Sequence, residues 1–149
     1  MIMPASKQHY PAIIELWERS VRATHLFLPE EYLQTIKKLL PSILPAVHLF
    51  VFENDDKMIS GFLGVAEHKI EMLFIHPDKM GQGIGRQLTT YAVEKMAACK
   101  VDVNEDNREA LNFYLHAGFV QMGRSETDGL GKPYPLVHME LPSPGDYSF

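Results

Sequence analysis

A single cysteine, Cys99, excludes an intramolecular disulfide, and the histidines show neither Cys/His clustering nor the His-x-x-x-His pair that zinc sites use. A reducing compartment and no structural metal are expected. Positive charge is also scarce: 14 Lys and Arg against 19 Asp and Glu leave a formal charge of -5, so no overall positive field draws in a nucleic-acid backbone. No apolar run approaches the roughly 18 to 20 residues that span a bilayer, the best stretch being broken by Pro41 and Pro45. The first ten residues lack the basic start and apolar stretch of a secretory signal. The expectation is a cytoplasmic protein that binds neither nucleic acid nor membrane.

What remains is ordinary globular composition, 46% hydrophobic and 22% charged over 149 residues, which predicts one domain over residues 1–149. After a short strand at Ile2 and Met3, apolar residues at Tyr10, Ile13, Ile14, Trp17 and Val21 recur at helical spacing. A second helix is expected after Pro29, with Glu30 and Glu31 at its positive end and an interruption at Pro41. Ala46 to Phe52 and Met58 to Ala66 read as a hairpin around Asn54-Asp55-Asp56-Lys57, and Ile70 to Ile75 as the next strand.

A helix follows through Leu88, Tyr91, Ala92 and Met96, then a strand at Val101 to Val103. Another helix starts near Asn107 and ends at Gly118. Phe119 to Ser125 and Leu136 to Leu141 complete the strands, and residues 143–149 read as a loose tail. One mixed sheet with helices on its faces satisfies this order.

The most informative stretch is the strand that runs into Gly81-Gln82-Gly83-Ile84-Gly85-Arg86 and then into a helix. Glycines let backbone N–H groups converge at the positive end of a helix, a natural site for phosphate or pyrophosphate. A nucleoside-triphosphate loop is excluded because Arg86-Gln87, not Gly-Lys-Ser/Thr, follows the last glycine. A dinucleotide loop stays open as an alternative, with Asp102 about 20 residues on as its ribose-binding acid. Against it stand the G-x-G-x-G spacing and the short stretch of chain left to complete a doubly wound sheet.

Met80 to Gly85, followed by Asn104-Glu-Asp-Asn107-x-x-Ala110-x-x-Phe113-Tyr114-x-x-x-Gly118-Phe119, resembles the GNAT superfamily of acetyl-CoA-dependent N-acetyltransferases. The resemblance implies an α/β GNAT fold: a mixed, mostly antiparallel sheet of about seven strands flanked by about four helices, splayed between the fourth and fifth strands. It implies transfer of acetyl from acetyl-CoA directly to a primary amine of a small molecule or protein, with CoA as product. Small proteins of the superfamily often form homodimers. The alternative function is an acyl-CoA-binding module with little turnover, for which Met80 is the hint.

Carried over residue by residue, the resemblance places Met80 where Gln or Arg is usual and assigns the pyrophosphate to Met80, Gly81, Gln82, Gly83, Ile84, Gly85 and Arg86. Pantetheine would lie along Leu73, Phe74 and Ile75, with the amide of Leu73 or Phe74 polarising the thioester oxygen. Asn104 and Asn107 match cofactor-contacting positions, although Asn107 serves equally as a helix cap. Tyr114 matches the tyrosine that protonates the departing CoA thiolate, a role that suits a phenol with an ordinary pKa near ~10. Glu71, read as sharing a strand face with Leu73 and Ile75, is the carboxylate proposed as base, with a water chain as the alternative. His25 and Tyr134 are the expected acceptor-binding residues, His25 as ligand or proton relay.

Overall fold

The computed structural model describes residues 1–149. Seven strands form one sheet: β1 (Ile2–Pro4), β2 (His48–Glu53), β3 (Ile59–Ala66), β4 (Lys69–Ile75), β5 (Lys100–Asn104), β6 (Val120–Ser125) and β7 (Leu136–Glu140), in the order β1-β2-β3-β4-β5-β7-β6. Every pairing is antiparallel except β4 with β5. Glu67 and His68 make the β3–β4 connection, both with positive φ (51° and 65°), the tight turn whose twist matches a right-handed hairpin.

Helices α1 (Tyr10–Thr24), α2 (Glu30–Ile43), α3 (Ile84–Met96) and α4 (Arg108–Ala117) cover the two faces. Alternation along the strands builds two cores. Leu49, Val51, Phe62 and Met72 point to the α1/α2 side, where Ile13, Leu16, Trp17 and Val21 of α1 and Leu33 and Leu40 of α2 meet them. Phe50, Leu63, Ile70, Val101 and Val103 point to the other side, against Ile84, Leu88 and Ala92 of α3 and Tyr114 and Ala117 of α4. On the solvent side, Glu18 joins Arg22 (2.8 Å) and Lys37 (2.5 Å), and Arg22 reaches Glu30 (2.8 Å). These solvent-facing pairs link α1 to α2 and add little stability.

Three expectations need correction. Pro41 does not interrupt the second helix, which continues to Ile43. The missing Pro41 N–H falls in the last turn of the helix on an exposed residue, where its loss costs least. The following strand begins at His48 rather than Ala46, because Leu44-Pro45-Ala46 form a 3-10 turn. The segment expected as a loose tail is packed: Ser148 donates from its amide to Ala117 O (2.9 Å), the Tyr147 hydroxyl meets Thr90 Oγ1 (2.5 Å), and Phe149 lies against Phe113 with ring centroids 5.1 Å apart. Aromatic residues at 147 and 149 supply the apolar area that holds it.

Candidate active site

β4 and β5 are paired only at Lys69↔Lys100 and Ile70↔Val101. Immediately afterwards the β3–β4 register shifts, Val65 facing Ile70 but Gly64 facing Met72, which leaves Glu71 as the extra residue of a β-bulge. Beyond the bulge β4 continues with β3, while β5 continues with β7, and the two parallel strands diverge. The backbone of β4 that faces this gap is therefore unpaired. His76 donates its amide to Ser60 O (2.8 Å), and that fixes the parity of the antiparallel ladder. Phe74 shares the parity of His76 and pairs with β3, whereas Leu73 and Ile75 aim their amides into the gap. Of the two amides expected to polarise a thioester oxygen, parity selects that of Leu73.

The gap opens into a cleft of about 570 Å³ whose walls include Leu73, Phe74 and Ile75, the loop residues Lys79, Met80, Gly81, Gly83, Ile84, Gly85 and Arg86, and Asn107, Ala110 and Phe113 of the α4 region. Gly81 and Gly83 have φ of 79° and 80°, and a Cβ on either would project into open space. Both conformations favour glycine. The amides from Gly81 through Arg86 have no protein acceptor, and the first intrahelical donor is Gln87, to Gly83 O at 3.0 Å. Unused donors at a helix N-terminus fit a diphosphate anion. Arg86 adds a cation, its guanidinium 4.7 Å from the centroid of the Phe149 ring. Met80 is half exposed and contributes no charge, but Lys79, one residue earlier, also lines the cleft.

On the α1/α2 side the cleft is closed by Ser20, Thr24 and His25. Burial pushes the His25 imidazole down to about 4, so the ring is neutral at ordinary pH. An aromatic group continues outward: His25 to Phe27 (5.5 Å), Phe27 to Tyr134 (6.0 Å), and Tyr134 stacked on Tyr32 (5.2 Å, 13°). The Tyr32 hydroxyl donates to Asp128, which also accepts from the amides of Leu130 (3.0 Å) and Lys132 (2.9 Å). One carboxylate thus shapes the β6–β7 loop and ties it to α2. Burial, reinforced by Asp128, pushes the Tyr32 phenol above its ordinary range.

Residues 17–141 match the model of the acetyltransferase (GNAT) domain. The chain belongs to the GNAT acetyltransferase family. It is 41% identical to the peptidyl-lysine N-acetyltransferase YjaB of Salmonella typhimurium over 130 residues, 87% of this chain and 90% of that protein. It is 31% identical to the peptidyl-lysine N-acetyltransferase YiaC of Escherichia coli, over 80% of this chain and 82% of that protein. The solution structure of apo-form YjaB from Escherichia coli superposes with a TM-score of 0.87 at 38% identity, covering 96% of this chain and 97% of that one. The fold is also that of PaiA N-acetyltransferase from Thermoplasma acidophilum in complex with coenzyme A, with a TM-score of 0.70 at 21% identity, covering 94% and 97%. The protein is therefore an N-acetyltransferase, an enzyme that moves an acetyl group to an amine, built on the splayed α/β sheet of its family.

Within this GNAT domain the expected residues divide into three groups. Leu73, Phe74, Ile75, Met80, Gly81, Gly83, Ile84, Gly85, Arg86, Asn107 and His25 are brought together around one cleft. Gln82, Asn104 and Tyr134 lie beside it: Gln82 is exposed on the loop, Asn104 accepts the Asn107 amide (2.9 Å), and Tyr134 belongs to the outer aromatic group. Glu71 and Tyr114 do not line it. Glu71 is exposed at the bulge, so the strand alternation that was to place it with Leu73 and Ile75 is broken there. Tyr114 is 5% exposed and packs edge-on to Phe113, which does line the cleft, with centroids 5.2 Å apart. Burial raises its phenol above the ordinary range and keeps it protonated.

The dinucleotide alternative fails on this geometry. Asp102 sits in mid-strand, bonded to Lys69 Nζ (2.5 Å) and His138 Nδ1 (2.6 Å), and the sheet is not doubly wound. Burial works against the Asp102 charge, but those two donors outweigh it and hold the carboxyl below its usual value. Sequence reasoning missed Ser20, Thr24, Lys79, Glu109, Ala110 and Phe113 as cleft walls. Ser20 and Thr24, four apart on α1, and Glu109, Ala110 and Phe113 on α4 carried a periodicity signal, but periodicity does not say which helix face meets a gap in a sheet.

Proposed function

We propose that this enzyme acetylates lysine side chains of proteins, taking the acetyl group from acetyl-CoA. The observation that carries the reading is the early end of β4–β5 pairing, which leaves an unpaired strand edge running into a glycine loop of free amides. Two relatives above 30% identity bear the name peptidyl-lysine N-acetyltransferase, which supports lysine as the acceptor. Acetyl-CoA, when bound, supplies the activated thioester. Gly81 to Arg86 hold the pyrophosphate through backbone N–H groups, with Arg86 adding charge and Gln82 and Met80 flanking. The unpaired edge at Leu73, Phe74 and Ile75 takes up pantetheine by strand-like pairing, with Asn104 and Asn107 at the far wall.

The Leu73 amide stabilises the negative charge that develops on the thioester oxygen as the amine attacks. A C–N bond forms, the C–S bond breaks, and the balance of protons is one lost by nitrogen and one gained by sulfur. Tyr114, packed behind the cleft residue Phe113 with its hydroxyl not sealed from solvent, supplies the proton that sulfur gains; burial keeps the phenol protonated and also makes it a weaker acid than a free tyrosine. Glu71, exposed at the bulge, relays the proton lost by the amine through water. Tyr134 and its aromatic neighbours flank the alkyl chain of the acceptor.

An acceptor panel tests the reading: a peptide with one internal lysine, a peptide whose only amine is its N-terminus, spermidine and an aminoglycoside, each with acetyl-CoA. The lysine peptide is expected to have the highest kcat/KM, by at least about tenfold over the others, a margin of roughly 1.4 kcal/mol in transition-state binding. A preference for spermidine or the N-terminal amine would overturn the assignment of lysine.

A further inference from the structure

The hydrogen bonds around His25 fix which ring nitrogen carries the proton. Thr24 Oγ1 lies 2.7 Å from Ser20 O and 2.8 Å from His25 Nδ1. A carbonyl oxygen only accepts, so the single hydroxyl proton of Thr24 goes to Ser20, and the contact with Nδ1 requires that the ring donate. Nδ1 therefore carries the hydrogen. The second nitrogen is approached by one group: Asn107 Oδ1 accepts the Ala110 amide (3.2 Å) as the N-cap of α4, which turns Nδ2, the donor end of the amide, towards His25 Nε2 at 3.5 Å. That approach is long for a hydrogen bond. Nε2 thus has a lone pair that the protein meets only weakly, on a residue that shares the cleft with Leu73, Phe74 and Asn107.

We propose that His25 Nε2 accepts a hydrogen bond from the nitrogen of the acceptor amine and so turns the amine's own lone pair towards the thioester carbon. This rests on the acetyltransferase reading above and adds the group that seats its acceptor. The bond strengthens during reaction, because the attacking nitrogen becomes positive as the C–N bond forms and its N–H becomes a better donor. His25 keeps its own Nδ1 proton throughout, so the proton balance of the transfer is unchanged. The ring sits between Phe27 and Phe74, with centroids 5.5 and 6.4 Å away, which fixes its plane.

The test uses two variants and one spectroscopic readout. His25→Phe preserves an aromatic ring against Phe27 and Phe74 but has no lone pair; His25→Gln offers an acceptor oxygen near the Nε2 position. For the lysine peptide, kcat/KM should fall about 10- to 100-fold in His25→Phe, as for loss of one hydrogen bond in a buried site, and recover in part in His25→Gln, with CoA affinity unchanged in both. Long-range 15N–1H correlation spectra of 15N-histidine-labelled protein should show the Nδ1–H tautomer. In the CoA complex, Nα-acetyl-lysine amide should shift the Nε2 signal of His25. An Nε2–H tautomer, an unmoved Nε2 signal at saturating amine, or full activity in His25→Phe would overturn the proposal. If the wild type acetylates no lysine peptide, the acceptor reading falls separately, and the tautomer and the amine titration still decide the role of His25.

Discussion

Replacing Tyr114 with phenylalanine removes one oxygen and nothing else from a well-packed place. The ring is 5% exposed and meets Phe113 at 5.2 Å and Phe119 at 5.6 Å, both edge-on, and phenylalanine keeps these contacts. No side-chain hydrogen bond is among the causes of its raised pKa, so none is lost. Stability should change by less than about 1 kcal/mol, because the hydroxyl is not among the sealed, unpartnered polar atoms and its removal leaves the ring contacts in place. Loss of a general acid costs typically ~10²- to 10⁴-fold in rate, or about 3 to 5 kcal/mol of barrier. The assay is thiol release from acetyl-CoA with a lysine peptide, alongside calorimetric CoA binding and thermal unfolding. The account predicts a fall in kcat within that range, CoA affinity within about twofold of wild type, and an unchanged melting temperature. A kcat within about threefold of wild type would refute the role of Tyr114, and so would a rate loss matched by unfolding.

Three further perturbations bear on separate parts of the site. Met80→Arg restores a cation at the diphosphate loop and should tighten CoA binding about fivefold, roughly 1 kcal/mol, without changing affinity for acetyl-pantetheine, which lacks the diphosphate. Tyr32→Phe breaks the bond to Asp128 that ties α2 to the β6–β7 loop; stability should fall by about 1 to 2 kcal/mol in urea titration, with a raised KM for peptide and unaltered CoA affinity. His25 is neutral in the fold down to pH about 4, whereas in the unfolded chain it protonates near ~6.5. The unfolded state binds more protons in that window, so the His25 contribution is intact above pH ~6.5 and about 3 kcal/mol is lost as pH falls to about 4. Urea unfolding across this range should show the loss in wild type and its absence in His25→Phe.

The parts of the site written in short sequence were legible. Gly81 and Gly83 between a strand and a helix read as a tight loop because positive φ is a local demand of the backbone, whereas Gly85 is helical with Phe113 and Ile75 close by. The Asn107 to Phe119 segment likewise carries its cap, its helix and its Gly118 stop in adjacent residues. What depends on distant partners was not legible. Strand alternation placed Glu71 with Leu73 and Ile75, but the bulge that breaks it exists only in the pairing of β4 with β3. The tail read as loose because Tyr147 and Phe149 find their partners, Thr90, Phe113 and Arg86, on two helices far back in the chain. The weakly met nitrogen of His25 depends on Ser20, Thr24 and Asn107 together, a three-part arrangement that no spacing encodes.

Cys99 immediately precedes β5, its carbonyl accepting the Leu141 amide at 2.8 Å, and does not line the cleft. Transfer should therefore pass from thioester to amine with no acetylated enzyme between them. Rapid quench of enzyme, acetyl-CoA and lysine peptide, followed by intact-mass spectrometry of both protein and peptide, measures this directly. The account predicts acetyl-peptide forming in step with free CoA while the protein mass stays unmodified at every time point. An acetylated protein that appears before the acetyl-peptide and decays as it forms, or CoA release without peptide acetylation, would contradict it.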